Sequence, residues 1–385
     1  MALEFLTPIP DKILAYNALL PPQALGNVIK PHSKKGGLPA LQDVQIAIIG
    51  VDESRNAFEK KQSPLNLSAI RKQLYQLMIG NWSVSMVDLG DIAEGAAVSD
   101  TYFAVKTITA SLIAQGIVPI VIGATQDITY PLYRAFDALH KMINLVSIDS
   151  RFDFGSQDAL ISSNSYMSRI ITEQPNILHN FSNLGYQSYF IAQEELDLMD
   201  KLFFEGHRLG VLTQDMSLAE PVLRNAHLVS IDARAIKGAE MGGGEEFSPN
   251  GFDSREICRL ARYAGLSESV QVFGVFESND HPGAHQLLAQ MIWYFIEGFG
   301  LRIHEHPLEA SENFLKYTVT LKDQDLVFYK SHLSERWWVG VPFVGGVDNK
   351  EVSVALLACN ESDYLAACQH IIPESWFKAQ KKGFI

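Results

Sequence analysis

The stretches LVSIDSR (145–151) and LVSIDAR (228–234) differ at a single position in a chain of 385 residues. In each stretch, four residues that suit a buried strand lead into an aspartate, and an arginine follows two positions later. Continuous apolar runs are typical of strands that are covered on both faces of a parallel sheet. The repeated phrase therefore predicts two such strands, each of which delivers an acid and a guanidinium to the edge where the strand ends.

Similar runs recur along the chain, and segments with helical periodicity separate them. The predicted strands are 45–51, 83–89, 118–123, 144–149, 186–192, 208–213, 227–232 and 269–276. The predicted helices are 65–79, 100–116, 128–140, 193–204, 215–225, 254–265 and 284–298. This alternation predicts an α/β fold in which helices cover both faces of an eight-stranded, mostly parallel sheet, giving three α/β/α layers.

The two ends of the chain differ from this pattern. Residues 1–40 are rich in proline and predict an N-terminal arm, and the α/β domain is expected to span 41–305. Residues 306–385 contain shorter runs typical of antiparallel strands, followed by a helix near 362–371. We expect them to form a small β-rich extension that packs on the α/β domain.

Composition excludes several functions. The net charge of −13 disfavours binding to nucleic acid or to anionic membranes. No apolar run reaches the roughly 18 residues of a membrane span, and the first residues lack the features of a signal peptide. The three widely spaced cysteines suit reduced thiols better than a disulfide framework. We therefore expect a cytoplasmic protein.

Polar residues follow four of the predicted strands. They are 124–127 (ATQD), 150–153 (SRFD), 233–234 (AR) and 277–280 (ESND). Ligands bind outside the carboxyl ends of the strands in open parallel sheets, so these residues predict a site that combines carboxylates and arginines. The alternative is that each Asp–Arg pair only satisfies its own charges and fixes a loop.

In order and in context, these residues resemble the metal-binding motifs of the ureohydrolases, which include arginase, agmatinase and formimidoylglutamase. GATQD (123–127) stands where the family has GGDHS, DSRFD (149–153) where it has DAHxD, and SIDAR (230–234) where it has SxDxD. The resemblance covers about 40–300. The GxxQD variant and the C-terminal extension are also similar to a formimidoylglutamase-like subgroup.

This resemblance implies two manganese ions at the carboxyl edge of the sheet. A hydroxide that bridges them would attack a guanidinium or formimino carbon. It also implies that the protein is a homo-oligomer. The positions that match the ligands of one of the two ions are Gln126, Asp149, Asp153 and Asp232.

The ligands private to the other ion correspond to Arg151 and Arg234. Arginine has no lone pair to give to a metal and stays protonated in proteins. We therefore expect the second ion to be absent and the two guanidinium groups to pair with the three aspartates in its place. The predicted cofactor is none, or a single Mn or Mg ion.

Two further positions bear on chemistry. Tyr166 stands where the family segment SGNxHG has a histidine that is thought to shuttle protons, and a phenol with a pKa near 10 is a poor shuttle. Asn164 lies in the same segment and is a predicted ligand contact, as are the two arginines. Glu277 either grips a cationic guanidino or amidino group or forms a salt bridge with one of the arginines.

Three functions remain open. The first is a protein of the ureohydrolase fold that is inactive on arginase-type substrates and acts in binding or scaffolding. The second is a hydrolase with one metal ion that acts on a guanidino, amidino or formimino C–N bond. The third is a metal-free sensor of a small carboxylate metabolite held by Arg151 and Arg234. The predicted partner is accordingly a small guanidino or carboxylate ligand.

Overall fold

The computed structural model describes residues 2–58, 65–139, 141–155, 160–245, 247–309, 311–322, 324–345 and 351–383. Its strands are β1 Leu6–Thr7, β2 Lys30–Pro31, β3 Ile46–Val51, β4 Met86–Ile92, β5 Val118–Gly123, β6 Ile143–Ile148, β7 Leu178–Tyr186, β8 Glu205–Arg208, β9 Leu228–Asp232, β10 Val272–Phe276, β11 Phe314–Thr320, β12 Asp325–Ser331, β13 Trp337–Gly345 and β14 Glu351–Cys359. Its helices are α1 Asp11–Asn17, α2 Leu25–Val28, α3 Leu67–Tyr75, α4 Val98–Ile113, α5 Thr129–Arg134, α6 Tyr166–Thr172, α7 Gln193–Lys201, α8 Leu209–Leu212, α9 Ala219–Arg224, α10 Ser254–Leu266, α11 Pro282–Gly300, α12 Glu361–Cys368 and α13 Glu374–Lys382.

The large sheet has the order β1-β4-β3-β5-β10-β9-β6-β7-β8, and β2 also pairs with β4. Its strands run parallel except for β1, which pairs antiparallel with β4. The predicted α/β fold with a large, mostly parallel sheet is therefore confirmed. The chain's first residues also join this sheet, because β1 and β2 both pair at its β4 edge.

Both faces of the sheet are buried, which explains the continuous apolar runs in the sequence. In β3, Ile46 and Ile48 face a core that includes α3, α10 and α11, whereas Ala47 and Ile49 face the opposite core with α4 and α5. The helices thus form a layer on each side. On one of these sides, Phe295 of α11 stacks on Phe273 of β10 with 4.2 Å between the ring centroids.

Two of the predicted strands are wrong in position. Residues 186–192 were expected to form a strand, but β7 is Leu178–Tyr186 and a short 3-10 turn follows at Ser188–Phe190. Residues 208–213 were also expected to form a strand, but β8 is Glu205–Arg208 and the helix α8 follows it. Both true strands carry several polar residues, so they lack the continuous apolar run on which the prediction rested.

The C-terminal strands β11–β14 form a separate antiparallel sheet. Trp337, Tyr317 and Tyr364 form a cluster of three mutually contacting rings inside this unit. The Arg224 guanidinium of α9 lies 4.5 Å from the ring of Trp338 and donates to the Cys359 carbonyl at 3.2 Å. The small sheet therefore packs against α9. Within the described residues, no helix is long and apolar enough to cross a membrane.

Candidate functional site

Four neighbouring strands bring the candidate residues together at one edge of the sheet. The order β5-β10-β9-β6 places the carboxyl ends of these strands side by side. Phe276 at the end of β10 is paired in register with Asp232 at the end of β9. Residues that immediately follow the four strands, from Gln126 to Glu277, therefore converge although they are far apart in the chain.

Three buried aspartates form the centre of this edge. Asp149, Asp153 and Asp232 are 1%, 3% and 0% exposed, and they offer oxygen atoms that all lie within 4.8 Å of one another. The backbone of Asp153 is left-handed, with φ of 55°, and so is that of Glu277, with φ of 58°. Residues other than glycine hold this conformation at an energetic cost, and such strain collects at functional sites.

Arg234 forms an ion pair with Asp232, which precedes it by two positions in the chain. Its Nε donates to both carboxylate oxygens of Asp232, at 3.1 and 2.9 Å, and a terminal nitrogen donates to Asp232 Oδ2 at 2.6 Å. The other terminal nitrogen donates to Asn164 Oδ1 at 3.1 Å. Burial lowers the pKa of Arg234, but the carboxylates of Asp232 and Glu277 raise it well above its usual value. The predicted Arg234–Asp232 pair is thus present, and Asn164 helps to hold it.

Arg151 does not make the pairing expected for it. Its guanidinium carbon lies 4.1 Å from the centre of the Phe190 ring, and a terminal nitrogen reaches the Phe190 carbonyl at 3.5 Å. It is the backbone N–H of Arg151 that donates to Asp149, at 2.9 Å. The expectation that both arginine heads pair with the aspartates is therefore wrong for Arg151, because an aromatic ring on the next loop offers its side chain another position.

The amide of Gln126 is fixed by hydroxyl groups. Its Nε2 donates to Ser230 Oγ at 2.9 Å and to the Tyr166 hydroxyl at 3.3 Å. Ser230 Oγ in turn shares a 2.6 Å hydrogen bond with Thr129 Oγ1. Tyr166 is fully buried, and burial raises the pKa of its phenol well above the usual value. Gln126 and Tyr166 thus lie in the site, as predicted, but in a rigid and buried network.

Several acceptor oxygens at this edge have no hydrogen-bond donor among the described residues. They are Asp149 Oδ2, both carboxylate oxygens of Asp153, and Gln126 Oε1. Burial and the charges of Asp153 and Asp232 raise the pKa of Asp149 well above its usual range. Burial also raises the pKa of Asp153, to about 7, against the opposing effect of Arg234. These two acids therefore either share protons or face a cation.

Glu277 lies between the backbone of Gln126 and the guanidinium of Arg234. Its Oε1 accepts the backbone N–H of Gln126 at 2.9 Å and lies 4.0 Å from a terminal nitrogen of Arg234. The two interpretations offered for this residue were a grip on a cationic ligand and a salt bridge. The geometry favours the salt bridge, because Arg234 lies at ion-pair distance.

Some residues of the site were not predicted. Thr129 orients Ser230, and the side-chain amide of Asn183 donates to the Arg151 carbonyl at 2.7 Å. Asn183 lies in β7, whose position was mispredicted. Asn183 gives no clear signal in the sequence, because it stands in a stretch that also contains His179, Asn180 and Ser182. Thr129 gives no clear signal either, because a threonine in the first turn of a helix is common.

Comparisons with known proteins agree with this architecture. The Arginase family model matches residues 44–295. The crystal structure of Trypanosoma cruzi formiminoglutamase with Mn2+2 is similar at a TM-score of 0.62 and 19% identity, covering 73% of this chain and 99% of that chain. Formimidoylglutamase from Bacillus subtilis is similar at a TM-score of 0.62 and 16% identity, covering 69% of this chain and 90% of that chain.

Agmatine ureohydrolase of Thermoplasma volcanium is similar at a TM-score of 0.55 and 16% identity, covering 74% of this chain and 96% of that chain. At these identities the likeness to the solved structures is one of fold. Among proteins with curated descriptions, none matches this chain.

Proposed function

We propose that this chain, which belongs to the arginase family because the family model matches more than half of it, uses the family fold to bind a ligand and does not act as a two-metal hydrolase. The observation that carries the proposal is the position of the Arg234 guanidinium, which donates hydrogen bonds to Asp232 and lies beside Glu277. This side chain brings a permanent positive charge to the place where the family would use a carboxylate ligand.

A pair of metal ions does not fit this arrangement. Of the residues that resemble the ligands of the second ion, Arg234 is cationic and Arg151 turns towards Phe190. A dication next to a buried guanidinium would be strongly repelled. Without two ions there is no bridging hydroxide to attack a carbon atom.

Proton transfer is disfavoured as well. Tyr166 has no exposed surface, and its raised pKa keeps the phenol protonated at neutral pH. Its hydroxyl accepts a hydrogen bond from Gln126, which further restricts it. A phenol that stays protonated near pH 7 is not available as a base in turnover.

The ligand that we propose for this pocket is a small carboxylate metabolite, and Arg151 is its cationic contact. The guanidinium carbon lies 4.1 Å from the centre of the Phe190 ring, and no carboxylate of the described residues lies within ion-pair distance of it. A guanidinium presented in this way suits the fork geometry of a carboxylate. Arg234, by contrast, is only 17% exposed and is already bound by protein groups.

A second candidate function rests on the oxygen atoms that lack donors. A single oxygen-ligated ion, Mg²⁺ or Mn²⁺, fits Gln126, Asp149, Asp153 and Asp232. Gln126, Asp149 and Asp153 have buried acceptor oxygens without a donor among the described residues. Such an ion would neutralise the acids and polarise a bound ligand. The protein would then be a hydrolase with one metal ion acting on a guanidino, amidino or formimino C–N bond.

Metal analysis and a turnover screen separate these candidates. Protein purified without chelator and then incubated with Mn²⁺ is analysed for bound metal and assayed with arginine, agmatine, guanidinobutyrate and formiminoglutamate. We expect far less than one ion per chain and no turnover. One ion per chain together with turnover supports the second candidate, and two ions per chain overturn the proposal.

A back-substitution tests the role given to Arg234. The triple variant Gln126→His, Arg151→His and Arg234→Asp should take up manganese. Its matched control, which carries only Gln126→His and Arg151→His, should remain poor in metal because Arg234 still occupies Asp232. Equal metal uptake by the two variants would show that Arg234 does not exclude the ion.

Calorimetry tests the ligand class. Succinate and glutamate should bind to the wild-type protein, and Arg151→Gln should weaken that binding by about tenfold or more. Arg255→Gln is the matched control, because Arg255 is 94% exposed on α10. If Arg255→Gln weakens binding as much as Arg151→Gln does, Arg151 is not the contact.

A further inference from the structure

A cavity of about 510 Å³ lies between the large sheet and the C-terminal extension. Its floor consists of residues from the first halves of β6 and β7 and from β8, and its roof consists of residues from β14, α12 and α13. The carboxyl-edge site begins only after β6 ends, at Asp149. The cavity therefore lies towards the opposite ends of the strands, and its volume is within the range of small-molecule sites.

The floor is polar where a covered parallel sheet is normally apolar. Asn144 is paired in register with Asn180, and Ser182 is paired with Glu205. Because alternate residues of a strand share a face, Asn180 and Ser182 point to the same side as each other. On the other face of the same strands, Leu145 and Phe181 are almost completely buried. The face of these strands that borders the cavity thus carries polar groups although the C-terminal extension covers it.

The roof contributes ammonium groups. Lys378 and Lys382 lie one helical turn apart on α13, and both line the cavity. Lys382 donates to the side-chain oxygen of Asn180, and Lys378 donates to the Phe204 carbonyl at 2.8 Å. Burial and the neighbouring Lys378 lower the pKa of Lys382 to about 8, so the group remains mainly protonated at neutral pH.

Three histidines add donors to the same walls. They are His179, His207 and His227. The Nδ1 atom of His227 accepts the backbone N–H of Asn144 at 3.0 Å, so a neutral His227 carries its proton on Nε2. Burial, with the charge of Lys382, lowers the pKa of His179. Five basic side chains thus line this cavity, together with the acids Glu205, Asp363 and Glu374, of which Glu374 lies 2.8 Å from the Lys378 ammonium.

Polar atoms of the floor also lack a partner. His207 Nε2 and Asn144 Oδ1 are buried and have no hydrogen-bond partner among the described residues. The closest carboxylate oxygen to His207 Nε2 is that of Glu205, at 3.9 Å, which is too long for a hydrogen bond. Buried polar atoms in native proteins almost always have a partner, so these atoms are available to a ligand.

We propose that this cavity binds a small anionic metabolite whose carboxylate or phosphate group is held by Lys378, Lys382 and the ring of His207. A hydroxyl or amine on the same ligand faces Glu205 and Asn144, which supply acceptors. The ligand contacts the sheet and the extension together, so its binding holds α13 against β7 and β8. The proposal concerns other residues than the carboxyl-edge site and does not depend on the function proposed for that site.

Titrations with inorganic phosphate and with succinate test the proposal and distinguish the two anion types. The probes are added to the full chain, and binding is followed by calorimetry and by the shift of the thermal unfolding midpoint. The variant Lys382→Gln should weaken binding by about tenfold or more, because a charged donor is lost. Lys381→Gln is the matched control, since Lys381 is on the same helix but does not line the cavity.

The outcomes are distinct. Because Arg151 is the proposed succinate contact at the carboxyl edge, the cavity is assigned from phosphate binding and from the succinate binding that remains in Arg151→Gln. Loss of that binding when Lys382→Gln is added, with retention when Lys381→Gln is added, supports a site in the cavity. If Arg151→Gln alone abolishes the binding of both probes and Lys382→Gln leaves it unchanged, the binding belongs to the carboxyl edge and the proposal is overturned. Equal weakening in the two lysine variants indicates unspecific attraction and also overturns it. The ring signals of His207 in NMR spectra provide a second readout, and they should shift on adding phosphate or succinate even if Lys382→Gln folds poorly.

Discussion

At the end of β6 and at the end of β9 the chain builds the same turn. Asp149 Oδ1 accepts the backbone N–H of Arg151 at 2.9 Å, and Asp232 Oδ1 accepts that of Arg234 at 2.7 Å. Beyond the turn the two arginines differ. Arg234 folds back on its own aspartate, whereas Arg151 lies on the ring of Phe190. The two stretches, which differ at one position, thus fix the same hydrogen bond from the arginine N–H to the aspartate but not the same ion pair.

The neighbours of each strand explain the difference. Arg234 lies beside Glu277, which follows the adjacent strand β10, and Asn164 accepts from its far nitrogen. Arg151 is close to the loop after β7, which presents an aromatic ring instead of an acid. Asp232 is therefore hydrogen-bonded directly to a cation, whereas Asp149 and Asp153 experience the charge of Arg234 without a hydrogen bond to it. This asymmetry can be tested directly.

Loss of each arginine should have very different effects on stability. Arg234→Met leaves the fully buried Asp232 without its cation, and removal of one partner of a buried ion pair lowers the free energy of unfolding by about 3 to 5 kcal/mol. Arg151→Met removes a cation–π contact and should lower it by about 1 kcal/mol or less. Urea unfolding in the presence of a chelator measures both. Similar losses in the two variants would contradict the asymmetry.

The location of this site could be predicted from the sequence because it follows from backbone direction alone. Parallel strands bring their carboxyl ends to one edge, so Gln126, Asp149, Asp232 and Glu277 had to converge. The orientation of Arg151 could not be predicted, because it depends on Phe190, in a stretch that was expected to be a strand. Side-chain pairing between distant loops is fixed by tertiary packing, which no local pattern reports.

The misplacement of β7 and β8 has a related physical cause. Both strands belong to a covered sheet, but they carry asparagine, serine, histidine and glutamate on the face that borders the cavity under the C-terminal extension. A prediction that looks for apolar runs passes over such strands and selects the apolar turns next to them. If the order of a sheet requires a strand where the sequence is polar, the polar residues therefore indicate a cavity on the face of the sheet that carries them.

Replacement of Asp153 and of Asp232 by asparagine should change the stability in opposite directions, although each replacement removes one acid. In chelator at pH 8, Asp153→Asn should raise the free energy of unfolding by about 1 kcal/mol, because both of its oxygens lack donors and its buried charge is removed. Asparagine also tolerates the left-handed backbone at this position. Asp232→Asn should lower the free energy by about 2 kcal/mol, because Arg234 loses its counter-ion.

The same two variants test whether a single metal ion binds at the aspartates. If an ion binds, Mn²⁺ should raise the unfolding midpoint of the wild-type protein and should have much less effect on Asp153→Asn. A larger loss of stability in Asp153→Asn than in Asp232→Asn, measured in chelator, would mean that the two aspartates have been assigned the wrong partners.

The starts of the two repeated strands also differ, and pH should reveal it. His227 precedes one LVSID and Asn144 precedes the other. Burial, with the charges of Lys141 and His179, lowers the pKa of His227 to about 4 from 6.5. The unfolded chain therefore binds more protons between these values, so stability is present above pH 6.5 and is lost as the pH falls towards 4. His227→Gln should reduce the slope by up to about 1.4 kcal/mol per pH unit.

The control for this prediction is His304→Gln, since the His304 side chain is 93% exposed. It should leave the slope of unfolding free energy against pH almost unchanged. An unaltered slope in His227→Gln would show that His227 titrates alike in the folded and unfolded chains.

The smallest expected effect concerns the contact that sets Arg151 apart. A double-mutant cycle with Arg151→Met and Phe190→Leu should give a coupling energy of about 0.5 to 1 kcal/mol, because the guanidinium lies 4.1 Å from the ring centre in a partly exposed position. The corresponding cycle of Arg151→Met with Asp149→Asn should give almost none, since only the backbone N–H of Arg151 contacts that acid. If the coupling to Asp149 exceeds the coupling to Phe190, the guanidinium pairs with the acid in solution. The two repeats would then end alike in side chain as well as in backbone.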